Sequence, residues 1–567
     1  MVIALEEVLN KIARKYKMAG QTENQKIKNS PNQVRLPFFL GLAVALGVLL
    51  GATLFQPSSN NPQGTARGYL KFREILSYID REYVDTVNTE ELSEYAINKM
   101  LEKLDPHSSY IPAKDLALAK SYLESDFDGI GVEFNIFRDT LYVIAPIHDG
   151  PSEQVGIQAG DKIIKVNGEN MAGVKLTNEM VFKKLRGPRN SKVNLTVLRR
   201  NESKPLQFSV TRKKIPSVSV DAGYMVDDHT GYIKVSRFSN GTYDEFKNKL
   251  SALRKQGLQR LILDLRDNPG GYLDHATRMA DEFLAGNKKL VYTDGKGTKY
   301  DADYYARQKG DFESGELIVL INEGSASASE ILAGALQDHD RALIVGRRSF
   351  GKGLVQVPIS LSDGSELRLT ISRYYTPSGR SIQKPYDPDS SNQYENDILN
   401  RYKHGEFFSQ DSIKFDENLK YKTAKGRTVY GGGGIMPDVF VPQDTLDNTE
   451  LLTELYRSNL LREYAMNYSR DHKKQLDNMS LAEFKANFKI TDAMFQGLLS
   501  EAKRSGIKVK EADLKRSEKT IRNNLKAFIA RNRYQAEGFY PVLNENDPDF
   551  QRALGLFGQA RQLSLGK

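Results

Sequence analysis

The 567-residue chain contains no cysteine. That excludes disulfides, thiol catalysis, lipid attachment through Cys and Cys-based metal sites, although it selects no compartment. Histidine is scarce: there are seven, none in a recognisable catalytic motif, so a histidine base has no candidate. The net charge of +9 comes without a basic-aromatic module, and solvated surface lysines account for it better than nucleic-acid binding. One stretch lacks charge altogether. Leu36 to Phe55, LPFFLGLAVALGVLLGATLF, is long enough to cross a bilayer. Lys11, Arg14, Lys15, Lys17, Lys26, Lys28 and Arg35 precede it, and neutral QPSSNNPQG follows. The positive-inside rule then predicts a cytoplasmic N-terminus with the remainder exported. A cleaved signal peptide is the alternative; the long n-region and the lack of a clear A-x-A site favour an uncleaved anchor.

The rest has ordinary globular composition, 39% hydrophobic and 27% charged, and length for three or four domains. Its informative block is INEGSASASEILAGALQDHDRALIVGRRSFGKGLVQ, Ile321 to Gln356. An apolar strand, Glu316 to Asn322, closes on a Gly/Ser/Ala run. A helical pattern follows, with Ile331, Leu332, Ala335 and Leu336 on one face. A strand at Ala342 to Val345, a Gly-punctuated turn holding Lys352, and a third strand from about Leu354 complete it. A serine at the strand-to-helix junction, Ser327, gains free N–H groups and the positive end of the helix dipole, a good place to stabilise an oxyanion. Ser327 with Glu330 is also an S-x-x-E capping box, which explains such a serine without catalysis. Gly346 to Lys352 imitates a phosphate-binding loop, but Gly353 stands where Ser or Thr should hold Mg²⁺ and a strand pattern follows where a helix should.

SASASEI together with FGKGLVQ resembles the C-terminal processing peptidases, or tail-specific proteases. LILDLRDNPGG (Leu261 to Gly271) and SRFS (Ser236 to Ser239) extend the resemblance. It implies Ser327 as nucleophile, Lys352 as general base and Gln356 as the residue orienting the lysine. It also implies an oxyanion hole from the N–H of Ala328 and one from Gly270 or Gly271. The chemistry is coherent: burial against Phe350 and Leu354 would lower the lysine pKa and make it a usable base. Ser-Lys pairs are a variant of triad logic recognised by roles. Asp126 to Arg212 resembles a PDZ domain, through DGIGVEF (Asp128 to Phe134) and PSEQVGIQAGDKIIKVNG (Pro151 to Gly168). N–H groups around Gly129, Ile130, Gly131 and Val132 would capture a chain-terminal carboxylate beside a strand edge that pairs with the peptide.

The expected architecture is multidomain α/β: a mixed α/β protease core with an inserted PDZ domain, helical N- and C-terminal regions and one N-terminal transmembrane helix. The expected order is a cytoplasmic segment (1–35), anchor (36–55), polar linker (56–66), N-terminal helical region (67–125) and PDZ domain (126–212). The core (213–384), a polar insertion read as a surface loop (385–428), a return strand (429–445) and a helical extension (446–567) follow. Asp264, Arg266, Asp267, Asp338 and His107 read as structural. The predicted activity is a serine endopeptidase, anchored in the cytoplasmic membrane with its catalytic part outside, periplasmic where an outer membrane exists. It would cleave exported proteins near their C-termini. No metal, nucleotide or other cofactor is required, and the partners are protein or peptide substrates and the membrane, not nucleic acid. A catalytically silent PDZ scaffold that binds C-terminal tails is the alternative. Oligomeric state and the role of the extension stay open.

Overall fold

The computed structural model describes residues 62–566 except 201, 388–390, 415 and 445–446, together with isolated positions 41 and 43. The predicted anchor and cytoplasmic segment lie outside the described residues. Among the described residues no helix is long and apolar enough to cross a membrane. The chain divides into two compact units, residues 1–92 and 93–567. In the first, a helix starts at Pro62, inside the predicted 56–66 linker, and runs to Glu82. Its apolar stripe, Tyr69, Phe72 and Ile75, is exposed.

The second unit is built on a six-stranded sheet. In chain order its strands are β1 (Val220–Met225), β2 (Thr230–Val235), β3 (Arg260–Asp264), β4 (Glu316–Ile321), β5 (Leu343–Gly346) and β6 (Val439–Phe440). Spatial order equals chain order, with β1–β2 antiparallel and every later pair parallel. Parallel neighbours need crossovers; helices α1 (Thr242–Lys255), α2 (Leu273–Asp281) and α3 (Ala328–Asp338) lie in the first three, and residues 347–438 make the fourth. Strand β6 is the predicted return strand.

Both faces of this sheet are buried, which is why its strands read as unbroken apolar runs rather than alternating ones. Leu261, Leu263, Leu317, Val319 and Ile344 pack on one face against Phe246, Leu250, Met279, Ile331 and Leu332 from the three helices. The alternate residues Tyr232, Ile262, Ile318, Leu320 and Val345 point to the other face. There they meet Phe550, Ala553, Leu556, Phe557 and Ala560, from the last two helices, Pro548–Leu554 and Phe557–Leu565, and the turn between them. Part of the C-terminal extension is therefore the second cover of the catalytic sheet. Arg266 fastens it, bridging Asp264 in the core to Asp547 (2.8 Å) and Asp549 (3.2 Å) in the extension. The remaining helices of the extension make their own core, which includes Leu525 and Ile529.

A second, five-stranded sheet carries Leu354–Ser360 and Glu366–Tyr375 as an antiparallel pair. The PDZ-like segment forms a separate sheet whose edge strand is Val132–Phe137. Its entry and exit chains pair as a short antiparallel ribbon, Asp126–Gly129 with Lys213–Pro216, as an inserted domain requires.

The 385–428 segment is not the expected surface loop. It forms helices Ser391–Glu395 and Asp397–Lys403 and a hairpin, with Tyr394, Arg401 and Phe407 buried. Polar groups do the anchoring, so no apolar period announced it. Arg401 donates to the carbonyls of Ser349 (3.0 Å) and Arg348 (2.7 Å), and Lys384 lies over the rings of Phe350 and Tyr394.

Candidate active site

Strand β4 ends at Ile321, and the chain must reverse into α3 within a few residues. Of the three serines in SASAS, two are used up in holding this turn to the β3–α2 loop. The Ser325 hydroxyl donates to the Leu265 carbonyl (2.8 Å) and the Ser329 hydroxyl to the Asn268 carbonyl (2.9 Å). Ser327 sits between them at φ +54°, ψ −113°, a sparsely populated conformation for a residue with a side chain. Strain of this kind persists only where its surroundings over-determine it, and a tight strand-to-helix elbow is one way to present a nucleophile. Ser327 lines a cavity of about 660 Å³ together with Gly271, Lys352, Gln356, Arg368 and Tyr374.

The expected oxyanion donors divide on inspection. Gly270 donates its N–H to Asn268 Oδ1 (2.9 Å), so that donor is already occupied. Its lack of a side chain serves close packing, since a Cβ there would lie 2.8 Å from Ser327 Cβ and 2.9 Å from Ala328 N. Gly271, at φ +140°, lines the cavity, and a Cβ on it would lie 2.0 Å from the Phe238 carbonyl oxygen. No other residue fits that position. Ala328 opens helix α3, where its N–H belongs to the unpaired first turn.

Lys352 lies in the loop before Leu354–Ser360, facing the same cavity. Burial pushes its pKa below the ordinary lysine value, while Glu330 and Asp105 pull it back up and Arg368 assists the lowering. The capping-box reading of Glu330 proves incomplete. One carboxylate oxygen accepts the N–H groups of both Ser327 (2.8 Å) and Lys352 (2.9 Å). The other accepts the Gly351 N–H (2.7 Å) and the Ser349 hydroxyl (2.5 Å). Glu330 is fully buried, and burial pushes its pKa up to about 7 against those four donors, which favour the charged form. A second clamp works on the carbonyl side: the buried Tyr374 hydroxyl shares its one proton between the carbonyls of Ser327 (3.1 Å) and Lys352. Two residues twenty-five apart in sequence are thus tied through both their N–H and C=O groups. Sequence reading missed Tyr374 and this role of Glu330; S-x-x-E showed only the local half of its contacts.

Gln356 pairs across its hairpin with Thr370 and donates to Thr370 Oγ1 (3.0 Å). That hydroxyl donates to Asp105 (3.0 Å), which also accepts from the Ser108 hydroxyl (2.6 Å). The Asp105–Ser109 turn therefore backs the strand that follows Lys352. His107 belongs to it: burial and the Lys352 charge lower its pKa to about 4, and its ring bonds Tyr394 (2.7 Å). Asp264 and Arg266 pair with each other, and Asp338 pairs with fully buried Arg380 (2.7 Å), as structural readings require. In the PDZ-like segment Gly129, Ile130 and Gly131 are buried, and Val132 alone of the four lines a cavity.

A carboxy-terminal-processing protease of Bartonella bacilliformis is 37% identical over 422 residues, 72% of this chain and 93% of that protein. The chain belongs to peptidase family S41. The signature of this S41 family matches residues 229–391, a PDZ-domain signature matches 142–199, and a family of unknown function matches 451–535. A probable CtpA-like serine protease of Staphylococcus aureus is 36% identical over 322 residues, 56% of this chain and 64% of that one. Among solved structures, a photosystem II D1 C-terminal processing protease aligns at 27% identity, covering 66% of this chain and 94% of the other, with a TM-score of 0.34. This S41 peptidase is accordingly a C-terminal processing serine protease with a PDZ domain.

Proposed function

We propose that this S41 peptidase cleaves exported proteins near their C-termini through an acyl-enzyme on Ser327, with Lys352 as general base. The observation carrying this reading is the double clamp of Glu330 and Tyr374 on the backbones of Ser327 and Lys352, within one cavity. The Ser327 Oγ–H bond breaks as Oγ attacks the scissile carbonyl carbon, and neutral Lys352 Nζ takes the proton. The N–H groups of Gly271 and Ala328 receive the oxyanion, a type of contact worth about 10²–10³ in kcat. The lysine then returns its proton to the leaving amine, and water repeats the sequence to free the enzyme. Gln356, held by Thr370 and Asp105, limits where the lysine can point. The PDZ domain holds the substrate's tail along Val132–Phe137, adding a strand to that open edge with the carboxylate at the Gly129–Val132 end.

Glu330→Gln tests the clamp. The amide cannot accept four hydrogen bonds, so the two backbones lose register. A shift near 1 Å can cost about 10²-fold in rate. An ionised Glu330 raises the Lys352 pKa, so the neutral amide should move the acid limb of kcat/KM to lower pH. A folded variant with wild-type rate and profile would make Glu330 a mere helix cap.

The Leu36–Phe55 stretch supports anchoring with the catalytic part outside the cytoplasm. The full chain should sediment with membranes and resist carbonate extraction, and deleting 36–55 should release it. Extraction of the intact chain by carbonate would refute the anchor and leave the chemistry untouched.

A further inference from the structure

The extension covers more than the catalytic sheet. Its other helices lie against the PDZ domain, held by Arg138–Glu463 (3.4 Å), Arg200–Asp471 (3.0 Å) and Arg531–Glu133 (2.8 Å). Met466 is buried with Phe137 and Tyr142 of the PDZ domain. Between the two lies a cavity of about 600 Å³. One wall is the edge strand Val132–Phe137 and another is the Asn178–Leu185 helix, contributing Phe182, whose ring meets Phe134 at 5.6 Å. The third wall is foreign to a PDZ domain: Arg462, Phe528, Arg531 and Phe539 come from the C-terminal extension. Among the described residues the edge strand pairs only with Thr140–Pro146, which leaves its outer edge for another strand.

Charge decides what fits. Glu133 takes the Arg531 guanidinium through Nε (3.1 Å) and an NH₂ group (2.8 Å), so that pair is neutral. Arg462 is exposed to the cavity, lies over the Phe528 ring at 5.3 Å, and forms no ion pair among the described residues, Glu133 acting on it only at longer range. The cavity thus keeps one net positive charge beside an open strand edge, between apolar rings. The one anion common to every chain end is its α-carboxylate.

We propose that the C-terminal extension completes the peptide groove, and that Arg462 binds the α-carboxylate of the substrate tail lying along Val132–Phe137. This deepens the tail-capture reading and rests on it. The loop at Gly129–Val132 offers only neutral N–H donors; Arg462 supplies the charge and makes the groove selective for free chain ends over internal segments.

The test uses the full chain carrying Ser327→Ala, so that bound peptide is not cut. A fluorescein-labelled decapeptide with an apolar last residue is titrated as free acid and as C-terminal amide, and anisotropy is read. Arg462→Gln should weaken the acid about tenfold and leave the amide unchanged, since a charged hydrogen bond is lost only for the acid. Arg462→Lys should recover part of the loss. Equal weakening of acid and amide would reduce Arg462 to a wall, and no weakening of either would overturn the proposal. Phe182→Ala, checked for folding by circular dichroism, separates the two readings. If it abolishes binding while Arg462→Gln does nothing, only the arginine proposal falls. If neither variant matters, or the parent protein binds no peptide, the groove reading falls with it.

Discussion

Ser327→Ala is expected to reduce peptide cleavage by about 10⁴-fold or more while leaving the protein folded. The alanine keeps the Cβ, so the strained elbow at φ +54° is no more strained than before. The N–H that Glu330 accepts is untouched. Loss of a capping hydroxyl costs about 1 kcal/mol, small against the stability of a large domain. Ser325→Ala and Ser329→Ala act differently: each removes one of two hydrogen bonds on a buried carbonyl, Leu265 keeping the Asn268 N–H and Asn268 keeping the Ala326 N–H, so they should lower thermal stability modestly and spare the chemistry. Cleavage at the wild-type rate by a folded Ser327→Ala protein would remove the nucleophile assignment.

Lys352→Arg is expected to be nearly as damaging as Lys352→Ala. Guanidinium keeps its proton at any working pH, so it preserves charge without offering a base. Burial, the largest influence on Lys352, disfavours the ammonium, and a base must be neutral to act. Wild-type kcat/KM should therefore rise with pH through a pKa below the free lysine value of about 10.4, reporting loss of the lysine proton. The groups around it push both ways: Glu330 and Asp105 raise that pKa and Arg368 lowers it. His107 titrates near 4, too low to produce a limb above neutrality. Substantial activity in the arginine variant would mean that Lys352 only balances charge.

Much of this site was legible in sequence because it is built from local signals. The strand, serine, helix, strand and lysine lie within thirty-seven residues, Glu316 to Lys352, and their order fixes which ends meet. The strand at Glu316 to Asn322 was legible because both faces of its sheet are buried, leaving the apolar run LIVLI. Long-range polar contacts were not legible. Glu330 carries a cap signature that conceals its bonds to Gly351 and Lys352. Asp105 reaches Gln356 only through Thr370, across more than two hundred residues. The choice between Gly270 and Gly271 turned on one hydrogen bond, from the Gly270 N–H to Asn268 Oδ1. The segment at 385–428 looked like a loop because arginines and tyrosines, rather than an apolar stripe, hold it down. The role of the extension was invisible for a similar reason: Phe550, Leu556 and Phe557 show an apolar face, but nothing local says that the face belongs to a sheet three hundred residues upstream.

The most direct test of the central claim is covalent. The full chain is treated with a serine-directed fluorophosphonate, digested, and the modified residue located by tandem mass spectrometry. The account predicts a single stoichiometric adduct on Ser327, formed faster as pH rises, and lost in Lys352→Ala and Lys352→Arg. An adduct on another serine, or labelling of Ser327 that proceeds unchanged without Lys352, would contradict it.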